Sequence, residues 1–355
     1  MATIGEVRQE GKKSNFFLSM RTHGASAGVI IAGVLVVLFI LSFAMGRYPI
    51  SPLDVIKVLA SHVLPIRHTW PDIMDTVMIQ IRLPRILAAM LVGASLALAG
   101  TSFQGLFRNP LVSPDILGVS SGAGFGAALA ILMNGNHTVI QISAFCFALL
   151  AVGISYGISK VVKGNATLTL ILAGMAIGSL FSAFLSLMKY VADPVNQLPA
   201  ITYWLMGSLA SVGSKGLLYV AVPMLTGIVI LILIRWRFNV LAMGEEEAQA
   251  LGANTGRLRA IIIVCCTLIS ASSVCIAGTV GWVGLVIPHI GRMLVGPNHK
   301  RLLPVSLLLG AAYLLLIDDI CRVAASVEIP IGILTAIVGV PFFVYLLRRS
   351  GKAWA

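Results

Sequence analysis

Long apolar runs alternate with short polar stretches along almost the whole chain. The run 83–106 shows the pattern: two arginines, Arg82 and Arg85, lie at its start, and it ends at a polar, proline-containing turn, 108–111. A helix needs about 20 apolar residues to cross the hydrocarbon core of a bilayer. Basic residues commonly mark the water interface at the end of a span. The pattern therefore predicts one membrane span here and about ten in the chain.

By this measure the fold class is all-α, a polytopic membrane protein. The expected spans, in chain order, are 27–46, 83–106, 116–134, 138–160, 167–190, 216–234, 260–278, 282–295, 303–320 and 330–347. Three further segments punctuate them: a short helix over 53–62, an amphiphilic outer-face re-entrant or interfacial helix within 194–212, and a charged cytoplasmic loop, 235–259. We expect a single membrane domain, 27–348, between a cytoplasmic N-terminal segment, 1–26, and a cytoplasmic tail, 349–355.

Composition strengthens this prediction and orients the chain. Hydrophobic residues make up 58% of the 355 residues and charged residues only 11%, whereas a soluble domain has about 25% charged residues. The net charge of +12 does not come with a basic block interleaved with aromatics, so nucleic-acid binding is not indicated. Of the 25 Lys and Arg residues, seventeen fall on one predicted side and eight on the other. The richer side is expected to be cytoplasmic, with both termini inside.

Sequence signatures of catalysis are absent. The chain contains no GxxxxGK[ST] phosphate-binding loop, no HExxH and no CxxC, which are the spacings expected of a nucleotide, zinc or redox site. The five cysteines lie in or beside apolar runs. We therefore expect a transport protein and not an enzyme, without a metal or cofactor of its own.

A short internal similarity relates two of the spans. Arg82–Arg85 leads to Ala99-Gly100-Thr101, and Arg257–Arg259 leads to Ala277-Gly278-Thr279. The two spans would run in opposite directions, as in the inverted repeats of transporters. Chance similarity in a biased composition is the alternative.

The loop 235–259 contains the most informative polar segment. Gly244 is followed by Glu245, Glu246 and Glu247, and acidic residues are favoured at a helix N-terminus. Gly252 then marks the end of this helix. The segment is either an ordinary solvated loop or an attachment point for a soluble partner.

Six motifs occur in one order: RLPR before an apolar helix, FRNPL, LGVSSGAGFG, GEEEAQALG, GLVIPHIGR and EIPIGILTAIVGVPFF. From about residue 47 onward the chain resembles the FecCD-type permease subunits of ABC importers for iron-siderophores, heme and vitamin B12. The resemblance implies ten membrane helices in the cell (inner or plasma) membrane, a homodimer with the pore on its axis, two ATP-binding cassette subunits and a substrate-binding protein. It places ATP and Mg²⁺ on the partner ATPase and no cofactor on this chain.

The same resemblance implies roles for individual residues. Those implied to receive the binding protein are Arg82, Arg85 and Arg322, although the spacing from Arg322 to Glu328 is one residue shorter than the family pattern and leaves the placement of Arg322 open. Those implied to couple to the ATPase are Leu241, Met243, Gly244, Glu245, Glu246, Glu247, Ala248, Leu251 and Gly252, with Leu241, Met243, Ala248 and Leu251 as anchors. The implied cytoplasmic gates are Asn109 with Leu111, and Thr167; an ordinary Asn-Pro turn is the alternative for the first.

One face of the span 167–190 carries Met175, Ser179, Ser182, Ser186 and Lys189, at helical spacing. This face either lines the pore, as the resemblance implies, or packs against other helices. Asp318 and Asp319 are expected at the outer end of their span, paired with Arg322, and Glu328 either acts at the membrane edge or caps a helix.

The alternative class is an ion-coupled secondary transporter, which would require carboxylates in the middle of spans. The acidic residues lie almost entirely in loops or at span ends, which favours the importer. The cargo stays open between a ferric siderophore, heme, cobalamin, and molybdate or tungstate.

Overall fold

The computed structural model describes residues 24–46, 48–61, 64, 70–162 and 166–350, and within these ranges the chain is helical and contains no strand. Most of the predicted cytoplasmic ends, residues 1–23 and 351–355, lie outside the described ranges. The helices are α1 Gly24–Ala44, α2 Pro52–Ser61, α3 Leu83–Phe107, α4 Val119–Leu132, α5 His137–Val161, α6 Ala166–Val191, α7 Gln197–Met206, α8 Ser214–Leu233, α9 Arg237–Met243, α10 Glu245–Ala250, α11 Thr255–Ala277, α12 Val283–Val295, α13 His299–Val323 and α14 Ile331–Ser350.

The membrane segments follow the predicted spans closely. Seven helical segments in the described part of the chain are long and apolar enough to cross a membrane: α1, Asp72–Phe107, α5, α6, α8, α11 and α13. Three shorter apolar helices, α4, α12 and the 331–345 part of α14, occupy the other predicted positions. The predicted span 116–134 was too long at its start, because Pro114–Leu117 forms a separate 3-10 turn before α4. Before α3, a helical turn, Asp72–Asp75, and a π-helix, Thr76–Arg82, lengthen that span.

Two helices form the centre of the molecule. In the most apolar 18 residues of each segment, the buried share is 83% for Asp72–Phe107 and 78% for α11, against 28% for α1, α5, α6 and α8. Small residues allow the central packing: a Cβ on Gly93 would lie 2.2 Å from the carbonyl oxygen of Gly310 in α13. Close backbone approach through glycine is a common way to pack membrane helices, since lipid supplies no hydrophobic drive between them.

The directions of the helices follow from contacts near their ends. Arg85, near the start of α3, contacts Asp318 near the end of α13, so α3 and α13 are antiparallel. Asn239 of α9 contacts His299 at the start of α13. The segment α9–α10 therefore lies at the end of the bundle opposite Arg85, and we call these two ends the α10 end and the Arg85 end.

The central helices α3 and α11 run in opposite directions, because α11 begins beside α10 whereas α3 begins at the Arg85 end. This agrees with the direction expected for an inverted repeat, and the repeat itself stays a prediction. Asparagine side chains begin three of the helices: Asn136, Asn254 and Asn298 accept hydrogen bonds from backbone N–H groups of α5, α11 and α13, which satisfies donors that a helix leaves unpaired.

The two polar segments between spans are more structured than a simple loop. The predicted loop 235–259 contains two short helices, α9 and α10, and Gly244 separates them with φ +140°. The amphiphilic segment 194–212 contains the ten-residue helix α7. Gly207 ends α7 and accepts a hydrogen bond from the Ile331 N–H, while the neighbouring Ser208 N–H donates to Ala277. These contacts fix α7 against the ends of α11 and α14.

Candidate functional site

The segment α9–α10 is held in a defined position by its own polar contacts. Gly244 has a backbone conformation that favours glycine, and a Cβ there would lie 1.9 Å from Oε2 of Glu247. Glu245 pairs with Nη2 of Arg259 at 3.2 Å. Thr255 donates to Glu245 and accepts from Gln249. These contacts join α10 to the first turns of α11.

Several predicted coupling residues lie on the outside of this segment. Met243 is 60% exposed and Leu251 is 64% exposed, and Glu245–Glu247 are also exposed. Large apolar side chains on an otherwise polar surface suit an interaction site. We call the exposed residues Met243, Glu246, Glu247 and Leu251 the α10 knob.

Two of the predicted anchors are not on this outer surface. Ala248 is fully buried, so its side chain contacts this chain and cannot reach a partner, which corrects its assignment as an anchor. Ala248 follows Glu245 by three residues, and Glu245 pairs with Arg259, so helical spacing puts Ala248 on the side of α10 next to α11. Leu241 is half-buried and packs against the main core. Gly252, with φ +78°, ends the segment as predicted.

The turn 108–112, which we call the Asn109 turn, follows directly on α3. Arg108 adopts the left-handed conformation with φ 50° and ends the helix. Oδ1 of Asn109 accepts a hydrogen bond from the Leu111 N–H at 2.9 Å, and Leu111 is 54% exposed. Thr167 lies half-buried in the first turn of α6. The structure describes an ordered turn with an exposed leucine, and its role as a gate stays a prediction.

The predicted pore face of α6 is largely exposed among the residues that the structure describes. Met175, Ser179, Ser182 and Ser186 are exposed and Lys189 is half-exposed, while Gly174, Ile177 and Phe181 form the buried side of α6. Ser179 and Ser186 donate to backbone oxygens one turn earlier, and Ser182 donates to Ser121. Packing within the described part of the chain therefore covers little of this face; contact with a second chain or with a pore stays a prediction.

At the opposite end, the three predicted docking arginines are inside the protein. Arg82, Arg85 and Arg322 are only 5%, 7% and 7% exposed. Arg85 binds Asp318 at 3.0 Å and Glu328 at 3.0 Å. Arg322 lies 3.2 Å from Asp318 and also pairs with Asp319.

Arg82 contacts no carboxylate among the described residues, and it donates to the backbone oxygens of Phe43 and Tyr48. Ser42, at the end of α1, donates to Asp319 and accepts from Arg322. We call the three arginines with Asp318, Asp319 and Glu328 the arginine cluster. Its three cations and three anions balance, and it joins α1, α3, α13 and the segment before α14.

The pairing of Asp318 and Asp319 with Arg322 is confirmed, and Arg322 has a defined place in the last turn of α13. Sequence reasoning did not anticipate that Arg85 would share Asp318. The contact of Glu328 with Arg85 accounts for this acid without a helix cap. Docking of a binding protein on the arginines stays a prediction, and it must now accommodate guanidinium groups that already have internal partners.

A recess lies between the 3-10 turn after the Asn109 turn and α14. Its volume is about 560 Å³, and its walls include Asp115, Ser120, Thr279, Trp282 and Gly332. Ser120 donates a hydrogen bond to Asp115. The carboxylate can be reached from the recess but has protein packed around it, and this loss of water raises the pKa of Asp115, while the Ser120 hydrogen bond opposes the rise. Sequence reasoning missed Asp115, although an acid after Pro114 was a visible signal.

A second recess, of about 630 Å³, lies beside α7, and its lining includes His137, Gln197 and Trp204 but no Asp, Glu, Lys or Arg among the described residues. In the described residues no cluster of His, Cys, Asp and Glu side chains could hold a metal ion.

In the described residues, seven helices long and apolar enough to cross a membrane and three shorter apolar helices pack around a glycine-rich centre, which is the architecture of a multi-pass membrane protein. The model of the FecCD transport family matches residues 34–349. This chain belongs to that family, and it is a permease component of an ABC importer. It is a multi-pass membrane protein, which in bacteria lies in the inner membrane.

Relatives and a solved structure cover nearly the same length. The molybdate import system permease protein MolB of Haemophilus influenzae is 42% identical, over 90% of this chain and 95% of that protein. The cobalamin import system permease protein BtuC of Halobacterium salinarum is 39% identical, over 81% of this chain and 78% of that protein. A solved structure described as an inward-facing ABC transporter of the metal-chelate type is 40% identical, with a TM-score of 0.82, and covers 92% of this chain and 99% of its own.

Proposed function

We propose that this chain is the membrane subunit of a binding-protein-dependent importer for a metal chelate. Two copies form the pore, two ATP-binding cassette subunits hydrolyse ATP with Mg²⁺, and a substrate-binding protein delivers the cargo at the Arg85 end. The α10 end is then cytoplasmic. The observation that carries this proposal is the α10 knob, a surface of exposed apolar and acidic side chains on a segment held in place by two glycines and an ion pair.

The knob suits attachment of a soluble partner because its apolar side chains and its acidic side chains contribute differently to binding. Met243 and Leu251 supply apolar area that is out of place in water, worth about 1.5–3 kcal/mol for each side chain that a partner buries fully. Glu246 and Glu247 supply charge that selects a basic surface and steers the encounter. The contacts of Glu245 and Thr255 keep the segment ordered, so little entropy is lost on binding.

The pore is proposed on the exposed face of α6. The serine hydroxyl hydrogens are used inside the chain, so this wall offers acceptor oxygens and a methionine, and Lys189 is its single cation. A weakly interacting wall lets a bulky cargo pass without being held, and selection then rests on the binding protein.

At the Arg85 end, we propose that the binding protein meets the arginine cluster through Arg85. The Glu328 side chain is 33% exposed and the Arg85 side chain 9% exposed, so Glu328 is the group that an incoming carboxylate can replace. Arg82 and Arg322 would then support the site from inside.

An oxyanion such as molybdate is the second candidate cargo, favoured by the 42% identity to MolB. Lys189 would attract an anion toward the proposed pore. Asp115, in the recess beside α14, would repel one where its carboxyl is ionised. The metal chelate is the first candidate because the similar solved structure is of the metal-chelate type.

The test is ATP hydrolysis and uptake in proteoliposomes that contain this chain, its ATPase subunit and its binding protein loaded in turn with ferric siderophore, heme, cobalamin or molybdate. One loaded form should stimulate both activities. The variant Met243→Glu/Leu251→Glu should abolish ATPase binding, whereas Lys300→Glu, an exposed change at the same end outside the knob, should not.

Normal coupling in the Met243→Glu/Leu251→Glu variant would overturn the attachment site. Uptake driven by an ion gradient without any ATPase subunit would establish secondary transport instead.

A further inference from the structure

The side chain of Gln104 joins three elements at the α10 end. It lies in the last turn of α3 and is only 4% exposed. Its Nε2 donates to the carbonyl oxygen of Val112 at 3.2 Å and to that of Gly284 at 3.4 Å. Its Oε1 accepts from Nη1 of Arg292 at 2.6 Å. Because arginine can only donate, this contact fixes which way the amide points. One amide therefore ties the Asn109 turn to both ends of α12.

Arg292 is an unusual partner for this role. It lies in the last turn of α12, and in the described part of the chain it forms no ion pair; its Nη2 is buried without a hydrogen-bond partner. Arg292 is half-buried as a whole, and a cation with a buried donor atom normally finds a carboxylate. A hydrogen bond from a charged donor is shorter and stronger than a neutral one, so the contact with Gln104 anchors both side chains.

A second set of contacts leads from α9 to the residue beside Gln104. The backbone N–H and the Nδ1 of His299 lie 2.9 and 3.2 Å from Oδ1 of Asn239 in α9. The ring of Phe238 stacks on the imidazole, with centroids 5.5 Å apart. The imidazole in turn lies against Gly105, where a Cβ would be 2.6 Å from Nε2. The imidazole is therefore held between Phe238 on one face and Gly105 at Nε2, and such close packing transmits a displacement with little slack.

From these contacts we infer that Gln104 and Arg292 are positioning residues for the Asn109 turn, and that His299 carries the displacement of α9 to them. The inference rests on the proposed function, which makes α9–α10 the point where the ATPase subunit pulls or pushes. Movement of α9 shifts His299 against Gly105. The side chain of the neighbouring Gln104 then moves, and its hydrogen bond to the carbonyl oxygen of Val112 changes. Neither positioning residue touches the cargo.

The first test needs no partner and measures the turn directly. The Val112 side chain is 2% exposed, so a cysteine there is protected while the turn is held. In a Cys146→Ser background, Val112→Cys is labelled with a membrane-impermeant maleimide in inside-out vesicles. Gln104→Leu and Arg292→Met should raise the labelling rate about tenfold, equivalent to ~1.4 kcal/mol of lost restraint. Arg292→Lys, which keeps a donor for Gln104, should restore slow labelling.

The matched control for this test is Ser95→Ala, a fully buried change in α3 outside these contacts, which should leave labelling slow. Equal rates in Gln104→Leu, Arg292→Met and Ser95→Ala would overturn the positioning role. The same vesicles are checked for monodisperse protein after extraction, so that unfolding is not read as release of the turn.

The second test measures cargo taken up per ATP hydrolysed in the full complex. Gln104→Leu should keep ATP hydrolysis and lower this ratio about tenfold, again ~1.4 kcal/mol of coupling. His299→Ala should do the same, and the double variant should be no worse than either single one, because contacts in one chain of interactions are not additive. Two results would overturn the link through His299. One is that the losses of the two single variants add up in the double variant. The other is an unchanged ratio of cargo to ATP in a variant that speeds the labelling of Val112→Cys.

Failure of this inference and failure of the proposed function can be told apart. If the ATPase subunit does not bind the natural chain at all, the proposed function fails, while the labelling experiment still decides whether Gln104 and Arg292 hold the turn.

Discussion

Removing Asp318 should test the arginine cluster most severely. Asp318 is fully buried and contacts both Arg85 and Arg322, at 3.0 and 3.2 Å. Asp318→Ala leaves two buried guanidinium groups sharing Asp319 and Glu328, one of which is partly exposed. Breaking a buried ion pair from one side costs about 3–5 kcal/mol, because a desolvated charge is left uncompensated. We expect a loss of unfolding free energy in this range.

The measurement is the unfolding free energy of the purified chain in mixed micelles, followed by tryptophan fluorescence. The control is the exposed pair Lys57–Asp54, with a separation of 3.2 Å and side chains 53% and 35% exposed. Lys57→Ala should cost less than ~1 kcal/mol, since water screens such a pair. The double change Arg85→Met/Asp318→Leu should recover much of the stability lost in Asp318→Ala, because it removes an anion and a cation together.

An Asp318→Ala variant that unfolds no more easily than Lys57→Ala would refute this reasoning. It would mean that the cluster is hydrated in the membrane protein and that its arginines are available to a partner. A double variant less stable than Asp318→Ala would show that Arg85 contributes mainly through its packing.

Three further changes test separate features. Gly100→Ala would place a methyl group 1.8 Å from the Gly284 carbonyl oxygen, so we expect loss of folded protein in fluorescence-detected size-exclusion chromatography, whereas Gly153→Ala, with open space at its Cβ, should fold normally. Asp115 has a raised pKa in the folded state, so its ionisation opposes folding; Asp115→Asn should be more stable than the natural chain at neutral pH, and a denaturation series should show the advantage fading as the pH falls through that raised pKa, with none left below the ordinary value of 3.8. An advantage that grew at low pH would contradict this assignment. Ala248→Glu should destabilise the attachment of α10 to α11, seen as faster proteolysis at Arg257 or Arg259, while Glu246→Gln should leave the cleavage rate unchanged.

The sequence alone predicted the membrane architecture well. Span positions depend on length and hydropathy, which are local properties, and the seven long and three shorter apolar helices of the described residues lie where the runs predicted them. The α10 helix was also predictable, since Gly244 and Gly252 bracket three glutamates, and glycine and acid preferences act within a few residues. The neighbouring helix α9 does not have a glycine at both ends, and the sequence did not predict it.

The tertiary structure decided which polar residues face inward. Arg85 and Asp318 are 233 positions apart, and Gln104 and Arg292 are 188 apart, so no local pattern pairs them. A span-end arginine has the same sequence signature whether it faces water or a buried carboxylate. Only the antiparallel packing of α3 on α13, made close by Gly93 and Gly310, brings the charges together. Likewise Ala248 shares the helix of the knob, and it is the docking of α10 on α11 that turns its methyl group away from any partner. Local chemistry fixed the helices, and the burial of their polar groups depended on which helices meet.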